Sequence, residues 1–171
     1  MIENFSLNKV KLLASFILFF FAITCAQASH LRAGQITIVR NSCTSREVLI
    51  TITVYTNTAS EVKFGEDGIL DFGDGTNMVV PRVENVPQTQ LGANIGIATF
   101  TVRHIYAGAG SYLISYVEPN RNGGVLNMSD SFFTTFYLET LFDLAALGCN
   151  NSPQLRIPPI DQACTGVAFY H

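Results

Sequence analysis

Glu47-Val48-Leu49-Ile50-Thr51-Ile52-Thr53-Val54-Tyr55 alternates with a period of two. Val48, Ile50, Ile52 and Val54 fall on one side, and Thr51, Thr53 and Tyr55 on the other. This is the pattern of a half-buried strand. The same alternation recurs on both sides of it. Residues 34–40 set Ile36 and Ile38 together, and residues 97–106 set Phe100, Val102, His104 and Tyr106 against Thr99, Thr101, Arg103 and Ile105. Tyr112, Ile114 and Tyr116 alternate with Leu113, Ser115 and Val117, and residues 132–139 put rings on both faces of one further strand. β-branched and aromatic residues fill these runs, as a pleated surface favours. Between residues 30 and 171 no window carries a helical stripe.

The breaks between runs have turn chemistry. Asn41-Ser42-Cys43-Thr44-Ser45 and Ala107-Gly108-Ala109-Gly110 each separate two strands by a short loop, so each predicts a hairpin. Gly73-Asp74-Gly75 predicts a tight turn, because glycine accepts positive φ and aspartate bonds nearby amides. At least six strands at such spacing predict an all-β, antiparallel sandwich, with a barrel as the alternative.

Residues 1–28 read as an address rather than as structure. Lys9 and Lys11 precede an apolar run of about 14 residues, Leu12 to Cys25, and then Ala26-Gln27-Ala28. That is the layout of a cleaved signal peptide, and the run is short of the ~20 residues of a spanning helix. Export is therefore expected, to the extracellular space or the cell surface, with no stable membrane span after cleavage. Of the 171 residues, 48% are hydrophobic and 13% charged, and the net charge is -3. Such a chain is too apolar for disorder, and it lacks the basic surface that nucleic acid requires. After cleavage Lys63 is the only lysine.

Three cysteines would remain after cleavage: Cys43, Cys149 and Cys164. In an oxidising compartment Cys149 and Cys164 can pair, closing about 15 residues for ~3 kcal/mol in the chain-entropy model. Two buried free thiols are the other reading. Cys43 is then the odd one, either buried or paired with another chain. Residues 143–171 also hold Pro153, Pro158 and Pro159. They predict one short strand at 154–157 and the start of a following module, after a sandwich over 29–142.

Two sets of residues carry a resemblance. Leu70-Asp71-Phe72-Gly73-Asp74-Gly75-Thr76, with His104-Ile105-Tyr106-Ala107-Gly108-Ala109-Gly110-Ser111-Tyr112 downstream, resembles the PKD (polycystic kidney disease) domain, an immunoglobulin-like sandwich. That family's pattern is W-x-F-G-D-G followed by H-x-Y-x-x-x-G-x-Y. Here Leu70 stands where tryptophan is usual, and the longer interval implies an extra strand pair or loop near residues 79–96. The second set begins at His30-Leu31-Arg32-Ala33-Gly34-Gln35. It runs through Phe136-Tyr137-Leu138-Glu139-Thr140 to Leu147-Gly148-Cys149-Asn150-Asn151-Ser152-Pro153 and Pro158-Pro159-Ile160-Asp161-Gln162-Ala163-Cys164. Together these look like the N-terminal region of secreted, PKD-containing, gliding-motility-associated surface proteins of Bacteroidetes. The resemblance implies a non-enzymatic structural or adhesion module whose partners are other extracellular domains or proteins. It also implies that Cys43 lacks a customary partner, because Thr56-Asn57-Thr58 stands where a cysteine commonly follows the second strand.

For chemistry, Asp71 and Asp74 are the best-placed carboxylates. They can cap their own turn, ligate calcium together with loop carbonyls, or act as an acid/base pair. No EF-hand spacing accompanies them, so turn capping is the first expectation and calcium the one cofactor considered. His104, among apolar neighbours, reads as a hydrogen-bonded structural residue. Tyr106 and Tyr112 read as hydroxyls tied to backbone. No Gly-x-Ser-x-Gly elbow, P-loop or dinucleotide fingerprint occurs, so no catalytic residue is assigned. A carbohydrate-binding accessory module is the alternative function; it requires a row of exposed rings such as Tyr137.

Overall fold

A computed structural model describes residues 30–119, 121–125, 128–145 and 150–155. The expected signal peptide and the expected Cys149–Cys164 pair lie outside the described residues. Within them run β1 (Leu31–Arg40), β2 (Glu47–Asn57), β3 (Ile69–Asp71), β4 (Asn77–Val79), β5 (Val86–Pro87), β6 (Ile95–Ile105), β7 (Ser111–Glu118) and β8 (Phe136–Asp143). They form two antiparallel four-stranded sheets, ordered β1-β2-β6-β5 and β4-β3-β7-β8. Among the described residues no ladder joins the two sheets, and the architecture is an all-β sandwich rather than a barrel.

The alternation in β2 explains its central place. Val48, Ile50, Ile52 and Val54 are all fully buried. They meet Leu70, Ile114, Tyr116, Phe136 and Phe142 of the other sheet in one core. Ile36 and Ile38 of β1 and Ala98 of β6 extend it, while Thr51 and Thr53 of β2 and Thr99 and Thr101 of β6 face outward. A fully buried residue of this size contributes roughly 1.5–3 kcal/mol by leaving water, so the four β2 positions are a substantial part of the core.

Several expectations needed revision. Residues 41–46 do close a hairpin, with β1 and β2 paired from Leu31/Thr56 to Arg40/Val48. Residues 107–110 do not: they carry the chain from β6 in one sheet to β7 in the other. β6 is already paired with β2 along its length and with β5 at Ile97 and Gly96, which leaves β7 to pair with β3 and β8. The last strand starts at Phe136 rather than at residue 132. Asp130 adopts a left-handed φ of 51° and Ser131–Phe133 form a 3-10 turn, closed by the Phe133 amide on the Asp130 carbonyl at 2.8 Å. Phe133 therefore stands 77% exposed on a turn. Between β4 and β6 the chain is mostly loop, with the two-residue β5 and one 3-10 turn at Thr89–Leu91.

Past β8 the described chain returns to the sandwich. The Ser152 amide donates to the Ile38 carbonyl at 2.9 Å, the Ile38 amide to Ser152 Oγ at 3.0 Å, and the Arg40 amide to Asn151 Oδ1 at 2.9 Å. Part of the open edge of β1 is thereby covered. Gln154 and Leu155 carry no strand, and the rest of the strand expected at 154–157 lies outside the described residues. Nor is Cys43 the odd cysteine: it is disulfide-bonded, and the other cysteines of the chain lie outside the described residues. A single sequence gives no pairing information for a cysteine so far from its alternatives. In a non-reducing digest of the folded chain, the Cys43 peptide should emerge linked to a second cysteine peptide. Alkylation of Cys43 without prior reduction would contradict this.

Candidate functional site

The turn between β3 and β4 is built from its own side chains. Asp71 Oδ1 accepts the Gly73 amide at 2.7 Å. Asp74 Oδ1 accepts the Thr76 amide at 3.0 Å and the Thr76 hydroxyl at 2.6 Å. Both are aspartate turns of the kind that short acidic side chains favour. Gly73 has φ +76°, and a Cβ there would lie 2.5 Å from the Leu113 carbonyl oxygen of β7. Only glycine suits both demands. Gly75 shares the positive φ, at +88°, but faces open space. Gly110 has neither requirement: a Cβ there would make ordinary contact with the Tyr112 ring.

His104 arrives from the other sheet. Its Nε2 lies 2.7 Å from Asp74 Oδ2, and its ring stacks on Phe72 at 4.0 Å and 3°. Tyr106 meets His104 edge-on and stacks on Tyr112 at 3.9 Å. The Tyr106 hydroxyl donates to the Phe72 carbonyl at 2.9 Å, and the Tyr112 hydroxyl donates to the Gly108 carbonyl at 2.8 Å. The structure thus brings Asp74, Phe72, His104, Tyr106 and Tyr112 into one column of rings and hydrogen bonds. Asp71 sits beside it, bonded within its own turn.

The hydrogen bonds of this arrangement run between residues of the chain itself. Both oxygens of Asp74 already accept hydrogen bonds, from Thr76 and with His104. Among the described residues no group of three or more His, Cys, Asp or Glu side chains is placed to hold a metal ion. Burial pushes the Asp74 carboxyl up, but hydrogen bonds from Thr76 and His104 outweigh it and hold the group below its ordinary value. Burial, with the Asp74 charge adding, pushes the Tyr106 hydroxyl up; it stays a neutral donor.

Two buried titratable residues escaped the sequence reading. Glu118 is fully buried and accepts the Tyr116 hydroxyl and, at 3.3 Å, the Gly65 amide. The signal was available: Tyr112, Ile114, Tyr116 and Glu118 share the inward parity of β7. Burial, with the Glu118 charge adding, pushes the Tyr116 hydroxyl up. His30 is also fully buried, and burial, reinforced by the charge of Lys63, lowers it to about 4. Nothing local in the sequence marks it.

No family model, curated protein or solved structure matches this chain.

Two outcomes follow from this geometry. Gly73→Ala should cost more than about 1 kcal/mol in denaturant unfolding, whereas Gly108→Ala, which meets nothing within 4 Å, should stay within ~0.5 kcal/mol. The chain should also lose stability on acidification. His30 is neutral when folded, so its contribution is complete above the ordinary value of 6.5 and is lost as pH falls toward about 4. Asp74 adds a loss below its ordinary 3.8, as protonation releases His104 and Thr76. In urea titrations across pH, His30→Gln should flatten the upper limb and Asp74→Asn the lower one.

Proposed function

We propose that this chain is a non-enzymatic extracellular module, immunoglobulin-like and of PKD type, serving structure or adhesion in a secreted or cell-surface protein. One observation carries the reading. Each residue of the motif constellation, from Asp71 and Asp74 through His104 to Tyr106 and Tyr112, makes a hydrogen bond within the chain, and these bonds fix the turn and tie the sheets. A catalytic centre needs convergent groups left to act on a substrate. The leader-like residues 1–28 support export, as does the disulfide at Cys43, since such bonds persist in oxidising compartments. Among the described residues no helix is long and apolar enough to cross a membrane. The resemblance to gliding-motility-associated surface proteins of Bacteroidetes supports the adhesive role, and the partners are other extracellular proteins or domains.

The carbohydrate-binding alternative draws on one observation, the 47% exposure of Tyr137. Its hydroxyl bonds Glu139 at 2.7 Å, leaving a ring face for a sugar. The row of rings such a platform uses is missing from the outward strand positions of that sheet, where Tyr137 is the one aromatic residue. Calcium, if bound at Asp71 and Asp74, would raise the melting temperature of the wild type and leave that of Asp71→Asn unchanged.

Expression of the complete precursor in a bacterial host tests the reading directly. The expected product is an exported protein whose N-terminal sequence starts at Ser29. An unprocessed precursor held in the cytosol removes the extracellular assignment. Turnover of a substrate that is abolished by His104→Gln without loss of fold removes the non-enzymatic one.

A further inference from the structure

The two outer faces of the sandwich differ in kind. On the β1-β2-β6 sheet the two central outward ranks are Thr37, Thr51 and Thr101, and Gln35, Thr53 and Thr99; Val39, Leu49 and Arg103 flank them on one side and Ala33, Tyr55 and Ile97 on the other. The centre of that face is polar, as antiparallel sheets commonly are on their solvated side. On the β4-β3-β7-β8 sheet, Val79, Ile69, Val117 and Tyr137 form one rank across all four strands. The next rank is Asn77, Asp71, Ser115 and Glu139. Beyond it Leu113 pairs with Leu141, and Ser111 with Asp143. Val79, Ile69, Val117, Tyr137, Leu113 and Leu141 are all exposed, Leu141 by 70%.

Scattered exposed apolar residues are ordinary, but aligned ones mark contact surfaces. With strands about 4.8 Å apart and a rise of ~3.4 Å per residue, the ranks from Val117 to Leu113 cover about 14 Å by 14 Å between Cα positions. Charge on this face has one sign. Its outward strand positions hold Asp71, Glu139 and Asp143 and neither lysine nor arginine.

We infer that the outer face of the β4-β3-β7-β8 sheet docks a protein partner whose contacting strand presents a cation between two aliphatic side chains. This deepens the proposed function and rests on it. The chemistry selects among occupants. A second copy would bring carboxylates into an apolar contact with no opposite charge on either face, which desolvation opposes. A glycan needs ring faces, and here five of the six apolar residues are aliphatic. A strand reading aliphatic, Arg, aliphatic at alternate positions has the same two-residue spacing as the ranks. Its arginine then falls on Asp71 and Glu139, where the bidentate fork suits a carboxylate.

The test uses the full chain, labelled for amide NMR, and a cyclised hairpin peptide presenting Leu-Ser-Arg-Ser-Leu on one strand. The control peptide carries Glu in place of Arg. Shift changes are expected at β3, β4, β7 and β8, and none with the control. Leu141→Ser and Glu139→Lys should each weaken binding by about tenfold or more. No binding, or binding untouched by both variants, overturns the assignment. So does sedimentation as a dimer that Leu141→Ser dissociates, and so does a glycan-array signal lost in Tyr137→Ala. Shifts confined to the threonine face overturn the surface assignment while leaving the binding-module reading intact. Cytosolic retention of the precursor, measured separately, removes that reading instead.

Discussion

Among the described residues no strand of one sheet pairs with a strand of the other, so side-chain contacts do most to set how the two layers meet. The tie at the motif end is the contact of His104, on β6, with Asp74, in the β3–β4 turn. Phe72 and Tyr106 reinforce it through ring stacking and the hydroxyl bond to the Phe72 carbonyl. Buried hydrophobic packing is non-directional; it would hold the sheets together at many relative positions. A charge-assisted hydrogen bond, fixed in angle and length, selects one. The conformation of Gly73 then lets the turn approach β7 closely, and the remainder of the second sheet takes its place from there.

That tie also explains why a conspicuous set of Asp, His and Tyr residues need not be chemical machinery. The same groups that could polarise a substrate here satisfy one another, and the tyrosines deliver their hydroxyls to backbone carbonyls of the two turns. The two outer faces are unlike: one has threonines at its centre, the other ranked aliphatic and acidic side chains.

Much of this was legible in the sequence where the physics is local. Alternation in β2 announced both the strand and its buried face, because side chains on a pleat point to opposite sides at every step. Asp71, Gly73, Asp74 and Gly75 announced a turn, because their demands on φ and on nearby amides are local. Period two reports faces, however, and says nothing about neighbours, so residues 107–110 looked like a hairpin when they join different sheets. The aromatic pair Phe132-Phe133 matched a strand by composition, while the left-handed Asp130 just before it turned the chain instead. Asp74 and His104, thirty residues apart, could be suspected as members of one motif, but their contact required the fold. His30 could not be found at all, since its burial is imposed from outside its own segment.

The pairing of β2 with β6 has a kinetic side. Glu47 lies opposite Ile105 and Asn57 opposite Ile95, so β3, β4 and the long loop must all be looped out before this ladder can close. The β1–β2 hairpin can form at once, yet its apolar side has nothing to cover it until distant segments arrive. Folds dominated by such non-local pairing mature slowly. If the chain is exported as proposed, that delay is an advantage: it would stay slack through the translocation channel and acquire its final shape on the far side.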